Sequence, residues 1–531
     1  MRESAAAAGS GAPAVTEASQ RSPAARSSRD DLGGAGWTCA PGSYRAFVPP
    51  KRPLSWLNPR TLLDSRNDTV SEKLGDPTND LRRAWIAAAL GRNGASLSID
   101  RTGEGDVSFL VVGDSGEGDA SQWATVPALA SVWDEAAFMV IASDVIYPAG
   151  DVNEYEEKFY KPYRDFRGPI YAIPGNHDWY DELQGFMFHL AGVEEMAPPE
   201  WTFTRDLPWW KRALHRALWR KPRPPATTAV ATRESWRPLD SQRSGQCASY
   251  WAIDTDGLRI VAIDTGIRGD IDRDQAEWLR KVSQDPSRPK LLVTGKPIYV
   301  DNEYHPGPIE GGGTVDEIVR DPQHGYLAAV AGDIHNYQRY PVDVGGGRVI
   351  QYIVSGGGGA FMHETHKIPR VHLPGVDEDS FVCYPRRGDS LSLFSKLYDR
   401  KLGFGRGYFE IRPDEASILM AERLGIEPER EGDRRTVVPD RARRAAEKIF
   451  PLPGRARGPL HAQFSVFFDW NDPPMFKSFL LVDAEDGALR IRCLAATGCL
   501  EHEGEPPVED EVVAERATDG TWPWRRIEAG G

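Results

Sequence analysis

The chain has 531 residues, with 64 Lys and Arg against 78 Asp and Glu, a formal net charge of −14. Its 40% hydrophobic and 27% charged content is that of a globular protein, long enough for about two to four domain-sized units. The acidic balance excludes a dedicated nucleic-acid binder, whose footprint is basic. No apolar run approaches the ~18 residues of a membrane-spanning helix, and the N-terminus lacks the apolar core of a secretory signal. Five cysteines (Cys39, Cys247, Cys383, Cys493, Cys499) are scattered without a CxxC pair. No disulfide framework or cysteine zinc site is therefore expected, and a cytoplasmic location is the default.

Residues 1–45, rich in Ala, Gly, Ser and Pro, read as a disordered leader. Residues 46–105 carry Leu54, Trp56, Leu57, Leu62, Trp85 and Leu90, enough for one or two docked helices without a function of their own. Three short apolar runs follow: Val107–Val112, Phe138–Ala142 and Pro169–Pro174. Helical stretches around Trp123–Glu135 and Glu154–Phe166 separate them, at the spacing of βαβ units. Near-continuous apolar runs are the mark of buried parallel strands. Further strands are expected at Leu258–Asp264, Lys290–Thr294, Tyr326–Ala331 and Val349–Val354, with a helix at Asp274–Ser283. Residues 106–368 thus form one α/β unit, interrupted at 191–245 by a Trp-, Arg- and Pro-rich insertion. From 369 to 531 a mixed extension contains a charged segment at Glu427–Arg444, β-rich runs at Phe464–Phe468 and Phe479–Val482, and an acidic tail.

Ligands in open α/β sheets sit beyond the carboxyl ends of the strands, and these strand ends carry metal-binding residue types. They read Gly113-Asp114-Ser115-Gly116, Ser143-Asp144-Val145-Ile146-Tyr147, Gly175-Asn176-His177-Asp178 and Gly332-Asp333-Ile334-His335. Carboxylates, imidazole and amide oxygens converging from separate elements suit hard cations. A two-metal arrangement would clamp a phosphoryl group for in-line attack.

In order and spacing these motifs resemble the calcineurin-like metallophosphoesterase superfamily, and the GDxG and DxxY forms resemble its purple acid phosphatase branch. The resemblance covers about residues 106–362, and GNHD after a strand is its most specific element. It implies a four-layer α/β/β/α sandwich and hydrolysis of phosphate mono- or diesters of a small phosphorylated substrate by metal-activated hydroxide. One or two metal ions, Fe, Mn or Zn, would be the cofactors. Asp114, Asp144, Tyr147 and His335 would hold the first, Asn176 and Asp333 the second, and His177 would be the acid. The sequence departs from the family at two histidines of the second metal, whose places are taken by Asp333 and Lys296. Two outcomes stay open. Asp333 serves as an oxygen ligand for a weaker second ion, or Lys296 puts its ammonium there and binds phosphate, leaving a mononuclear, weakened hydrolase or a binding-only relic.

Other features have plainer readings. Asp151, in Gly150-Asp151-Val152-Asn153, is a rival to Asp144 but lies in a loop. Asp178 either orients His177 or stabilises the turn. His363-Glu364-Thr365-His366 reads as a surface loop, and Gly356–Gly359 as a tight turn or a phosphate cradle. Trp209–Lys221, WWKRALHRALWRK, is a basic amphipathic helix. An ordinary packed helix, a lid over the site and a membrane contact are its three readings.

Overall fold

The computed structural model describes residues 37–50, 54–203, 205–286, 288–449 and 470–527. The leader up to position 36 and the run Phe464–Phe468 lie outside the described residues. In the first half the strands are β1 (Ser98–Asp100), β2 (Val107–Gly113), β3 (Phe138–Ala142), β4 (Ile170–Ile173), β5 (Trp251–Asp254), β6 (Arg259–Ile263) and β7 (Lys290–Thr294). After them come β8 (Tyr326–Ala331), β9 (Tyr337–Gly345), β10 (Arg348–Ser355) and β11 (Val382–Tyr384). Last are β12 (Lys477–Glu485), β13 (Ala488–Ala496), β14 (Val508–Glu515) and β15 (Trp524–Arg526). Hydrogen bonding orders one sheet as β1-β5-β6-β7-β8-β10-β9-β11 and the other as β15-β14-β13-β12-β2-β3-β4.

Because alternate strand residues face opposite sides, each sheet buries two faces. Phe109, Val111 and Val140 meet Ile260, Leu291 and Val293 between the sheets. Leu110, Val112, Met139 and Ile141 point the other way, against α3 (Thr78–Leu90) and α4 (Ala120–Ala130). On the far side, Val261, Ile263 and Leu292 pack on Ala276 and Leu279 of the helix Arg273–Ser283. Helix, sheet, sheet and helix make the four layers of the α/β/β/α sandwich.

Two parts of the chain pack differently from the sequence expectation. The extension after residue 369 contributes four of the seven strands of the second sheet, β12 pairing antiparallel with β2 from Leu480–Val111 to Ala484–Val107. Its charged segment is anchored: in the helix Asp440–Ile449, Ala442, Ala445, Ala446 and Ile449 are buried. The described end of the leader is docked as well. Trp37 and Tyr44 are buried, and Cys39 is joined to Cys499 by a disulfide, 460 positions apart. That bond corrects the expectation of a chain without disulfides; composition cannot show which distant cysteines the fold brings together. Cys247, Cys383 and Cys493 are free. Among the described residues no helix is long and apolar enough to cross a membrane.

Candidate metal centre and its pocket

Four strand ends from both sheets meet at one edge. Directly after β2, β3 and β8 the backbone turns into the left-handed region at Asp114 (φ 54), Ser143 (φ 80), Asp144 (φ 41) and Asp333 (φ 72). Such conformations cost roughly 1–3 kcal/mol each, and strain of this kind collects at functional sites. Glycines let the loops close: a Cβ on Gly332 would lie 2.7 Å from Asp114 Oδ2, and one on Gly356 only 2.4 Å from it. Gly356–Gly359 thus serve backbone packing, with none at positive φ.

Asp114, Asp144 and His335 are buried and offer ligand atoms all within 4.8 Å of one another. The Tyr147 hydroxyl donates to Asp144 Oδ2 (2.9 Å) and lies 3.0 Å from His335 Nε2. His335 Nδ1 faces the Phe361 carbonyl at 2.7 Å, which places its proton there and leaves the Nε2 lone pair for the cluster. Burial holds the His335 imidazole well below its ordinary pKa, hence neutral. Burial, with Asp144 and Asp333 nearby, pushes the Asp114 carboxyl well above the usual range; burial likewise raises Asp144. Burial and the Asp144 charge raise the Tyr147 phenol.

This donor set fits a hard metal ion. Neither buried oxygen of Asp114 has a hydrogen-bond partner, a costly arrangement unless a cation satisfies them. The buried Oδ1 of Asn176 is also without one, its amide nitrogen being committed to the Tyr180 hydroxyl (2.7 Å).

Asp333 is differently engaged. Its Oδ1 accepts from Lys296 Nζ at 2.5 Å. Burial works against the ammonium, but Asp333 outweighs it and the Lys296 pKa is raised. The pair adjoins Asp144, so a fixed ammonium lies beside the cluster.

His177 sits beside the cluster. Its backbone N–H donates to Asp144 Oδ1 (2.9 Å), and Nδ1 faces the Pro148 carbonyl at 2.7 Å, which leaves Nε2 for the pocket. Trp56, Tyr147 and Tyr180 surround its ring at centroid distances of 5.6, 4.5 and 4.9 Å. Asp178 does not orient it. Its carboxylate instead accepts from the N–H groups of Val145, Ile146 and Gly175 (2.9, 3.1 and 3.0 Å), tying the two motif loops together. Asp151 lies in a separate ion-pair cluster with Arg220 and Arg223 (3.5 and 2.9 Å).

A cavity of about 450 Å³ opens over these groups. Its walls include two contributions that sequence reasoning missed. Trp56, Leu62, Ser65, Arg66, Asp68 and Thr69 come from the N-terminal segment, on or next to the helices α1 (Pro59–Asp64) and α2 (Asn67–Leu74). α1 is fixed locally by Asn58, whose side chain accepts from Arg60 N, followed by Pro59 at the first helical position. The second is His363, which corrects the surface-loop reading: it stacks on His335 at 4.2 Å, and its Nδ1 accepts from the His335 N–H (3.0 Å). His366 is buried against Ser390 (2.9 Å). No local pattern marks the wall residues, although the closeness of His363 to the glycine run after β10 was a usable signal.

Residues 107–337 match the description "Calcineurin-like phosphoesterase". No curated protein matches the sequence. Among solved structures, the chain resembles a purple acid phosphatase from yellow lupin (Lupinus luteus) seeds at 10% identity and a TM-score of 0.39, over 79% of this chain and 55% of that one. It thus spans just over half that phosphatase's length. PhoD is similar at 10% identity and a TM-score of 0.34, over 81% and 73% of the two chains. GAP50, the anchor in the inner membrane complex of Plasmodium, gives 9%, a TM-score of 0.27, and 52% and 78%. With its strand-end carboxylates and GNHD turn, the segment 107–337 of this chain matches the calcineurin-like phosphoesterase family.

Proposed function

We propose that the protein hydrolyses a phosphate mono- or diester at a site built for one hard metal ion. Asp114, Asp144, Tyr147 and His335 are the ligands, and the Lys296–Asp333 pair stands in place of a second ion. The observation that carries this is the buried Asp114–Asp144–His335 cluster with both Asp114 oxygens unpartnered. A bound Fe, Mn or Zn ion would supply Lewis-acid activation of the attacking water and neutralise phosphoryl charge. The chain's own residues do the rest. Asn176, whose Oδ1 is buried without a partner, lines the cavity. The Lys296 ammonium is a fixed cation for a phosphoryl oxygen. His177, its Nδ1–H held by the Pro148 carbonyl, presents Nε2; with a second proton on Nε2, it gives that Nε2 proton to the departing alkoxide. The test is turnover of p-nitrophenyl phosphate by purified protein loaded with each metal in turn. Metal-dependent hydrolysis abolished by Asp114→Asn supports the reading, and its absence with all three metals rejects it.

The Lys296–Asp333 ion pair also favours a second reading, a phospho-ligand-binding protein with little turnover. Phosphate binding by the metal-loaded protein without hydrolysis would select it.

The Cys39–Cys499 disulfide weighs against the cytoplasmic location expected from the scattered cysteines, because such bonds persist where thiols are oxidised. Thiol titration of the unfolded, unreduced native protein decides. Three thiols per chain mean an oxidising compartment; five restore the cytoplasmic reading.

A further inference from the structure

The basic helix of the insertion, Trp209–Leu218, packs against α2 of the N-terminal segment and is mounted with its apolar side outward. At about 100° per residue, Trp209, Trp210, Leu214 and Leu218, with the alanines between them, fill one half of its circumference. All four are exposed, Trp209 by 74% and Trp210 by 50%. The only buried residue of the helix is the polar His215, stacked on Trp219 at 5.0 Å. Lys211, Arg212 and Arg216 border the apolar half on both sides. The helix contains no acid, and none of the three cations is paired with a carboxylate among the described residues.

The patch does not end with this helix. The Arg66 guanidinium donates to the Leu63 carbonyl and to the Leu218 carbonyl, both at 2.7 Å, which stitches α1 to the end of the basic helix. Leu57, Leu62 and Leu63 are 64%, 49% and 58% exposed, and they continue the apolar surface. Leu62 and Arg66 also line the cavity over the metal centre. The exposed face therefore runs to the rim of the site.

We infer that this face docks the protein on an anionic phospholipid bilayer, with the mouth of the metal-centre cavity at the lipid–water boundary. Half-buried helices that lie in the interface carry Trp and Leu on one face and Lys and Arg on the flanks. Tryptophan is suited to the boundary by its apolar body and polar N–H. The local cations stand out against a chain of net charge −14, whose remaining surface would be repelled by anionic lipid. That contrast sets the orientation as well as the partner. The inference rests on the hydrolase reading only for what the cavity does once docked; the docking itself is independent of it.

The experiment is sedimentation of the full chain at low salt with vesicles of phosphatidylcholine alone and of phosphatidylcholine with phosphatidylserine. Binding is expected to the mixed vesicles only and to fall as salt rises. It should weaken at least about tenfold in Trp209→Glu/Leu214→Glu and again in Lys211→Glu/Arg216→Glu. Circular dichroism confirms that each variant is folded, and the second pair serves if the first is not. Three results would each overturn the docking: no binding of wild type to mixed vesicles, equal binding by folded variants, or a wild-type dimer in equilibrium ultracentrifugation that both variants dissociate, which would make a second copy the occupant. Wild-type turnover of soluble p-nitrophenyl phosphate reports on the hydrolase reading separately, so either can fail while the other stands.

Discussion

Replacing Lys296 by Met tests whether an ammonium excludes the second metal. Met keeps most of the alkyl stem and deletes one positive charge next to Asp333, whose own charge is felt at Asp114 and Asp144. A unit charge about 5 Å from a divalent ion, at an effective dielectric of about 20, repels it by roughly 7 kcal/mol. Lys296 and Asp333 are 27% and 21% exposed, so solvent screens part of this. If about half survives, removing the charge strengthens binding of a second ion by about 3 kcal/mol, or about 200-fold. Titration calorimetry of the metal-free protein with Mn²⁺ should show one tight site in wild type and two in Lys296→Met. The metal-free variant should also unfold more readily than wild type, because Asp333 has lost its partner, and Mn²⁺ should restore it. Superimposable isotherms for the two proteins would refute the exclusion by Lys296.

Asp114→Asn is expected to retain the fold but bind far less metal, and to lose at least about a thousandfold in kcat; both are read from elemental analysis and steady-state kinetics. His177→Gln should lower kcat by about 10²–10⁴-fold on an alkyl phosphate but much less on p-nitrophenyl phosphate, whose leaving group needs little protonation. An equal loss on both substrates would remove the acid role. Asp76 has its pKa pushed by burial from the usual carboxylate value of 3.8 up to about 6. Below about pH 4 both folded and unfolded forms are protonated; between about 4 and 6 the unfolded chain loses its proton first. The Asp76 contribution to stability therefore falls across that window by about 3 kcal/mol and is level above it. Asp76→Asn should abolish that slope in urea melts at pH 4 and 7 and be the more stable protein at pH 7.

The strand-end residues were legible because their signal is local. An apolar run followed at once by Asp114, Asp144 or Asn176 needs no knowledge of the rest of the chain, and Asp333 and Lys296 stood out as departures from a resemblance. The four layers were implied by the family resemblance that those residues carry. The sequence could not show what depends on long-range docking. Trp56 and Arg66 reach the cavity only because α1 and α2 settle across the mouth of a site whose candidate ligands begin about fifty positions later. Strands β12 to β15 join a sheet begun by β2, some 370 positions earlier, and Cys39 meets Cys499 across nearly the whole chain. In Trp209–Leu218 the helical period was readable, but periodicity does not say which side faces the protein. His215 decides it by being buried.

The most direct measurement is metal content per chain, by elemental mass spectrometry of tag-free protein purified without chelators. One ion per chain, lost in Asp114→Asn, is the expected result. Two ions per native chain would contradict it, because Asp333 would then be a ligand and the Lys296–Asp333 pair could not hold the second position.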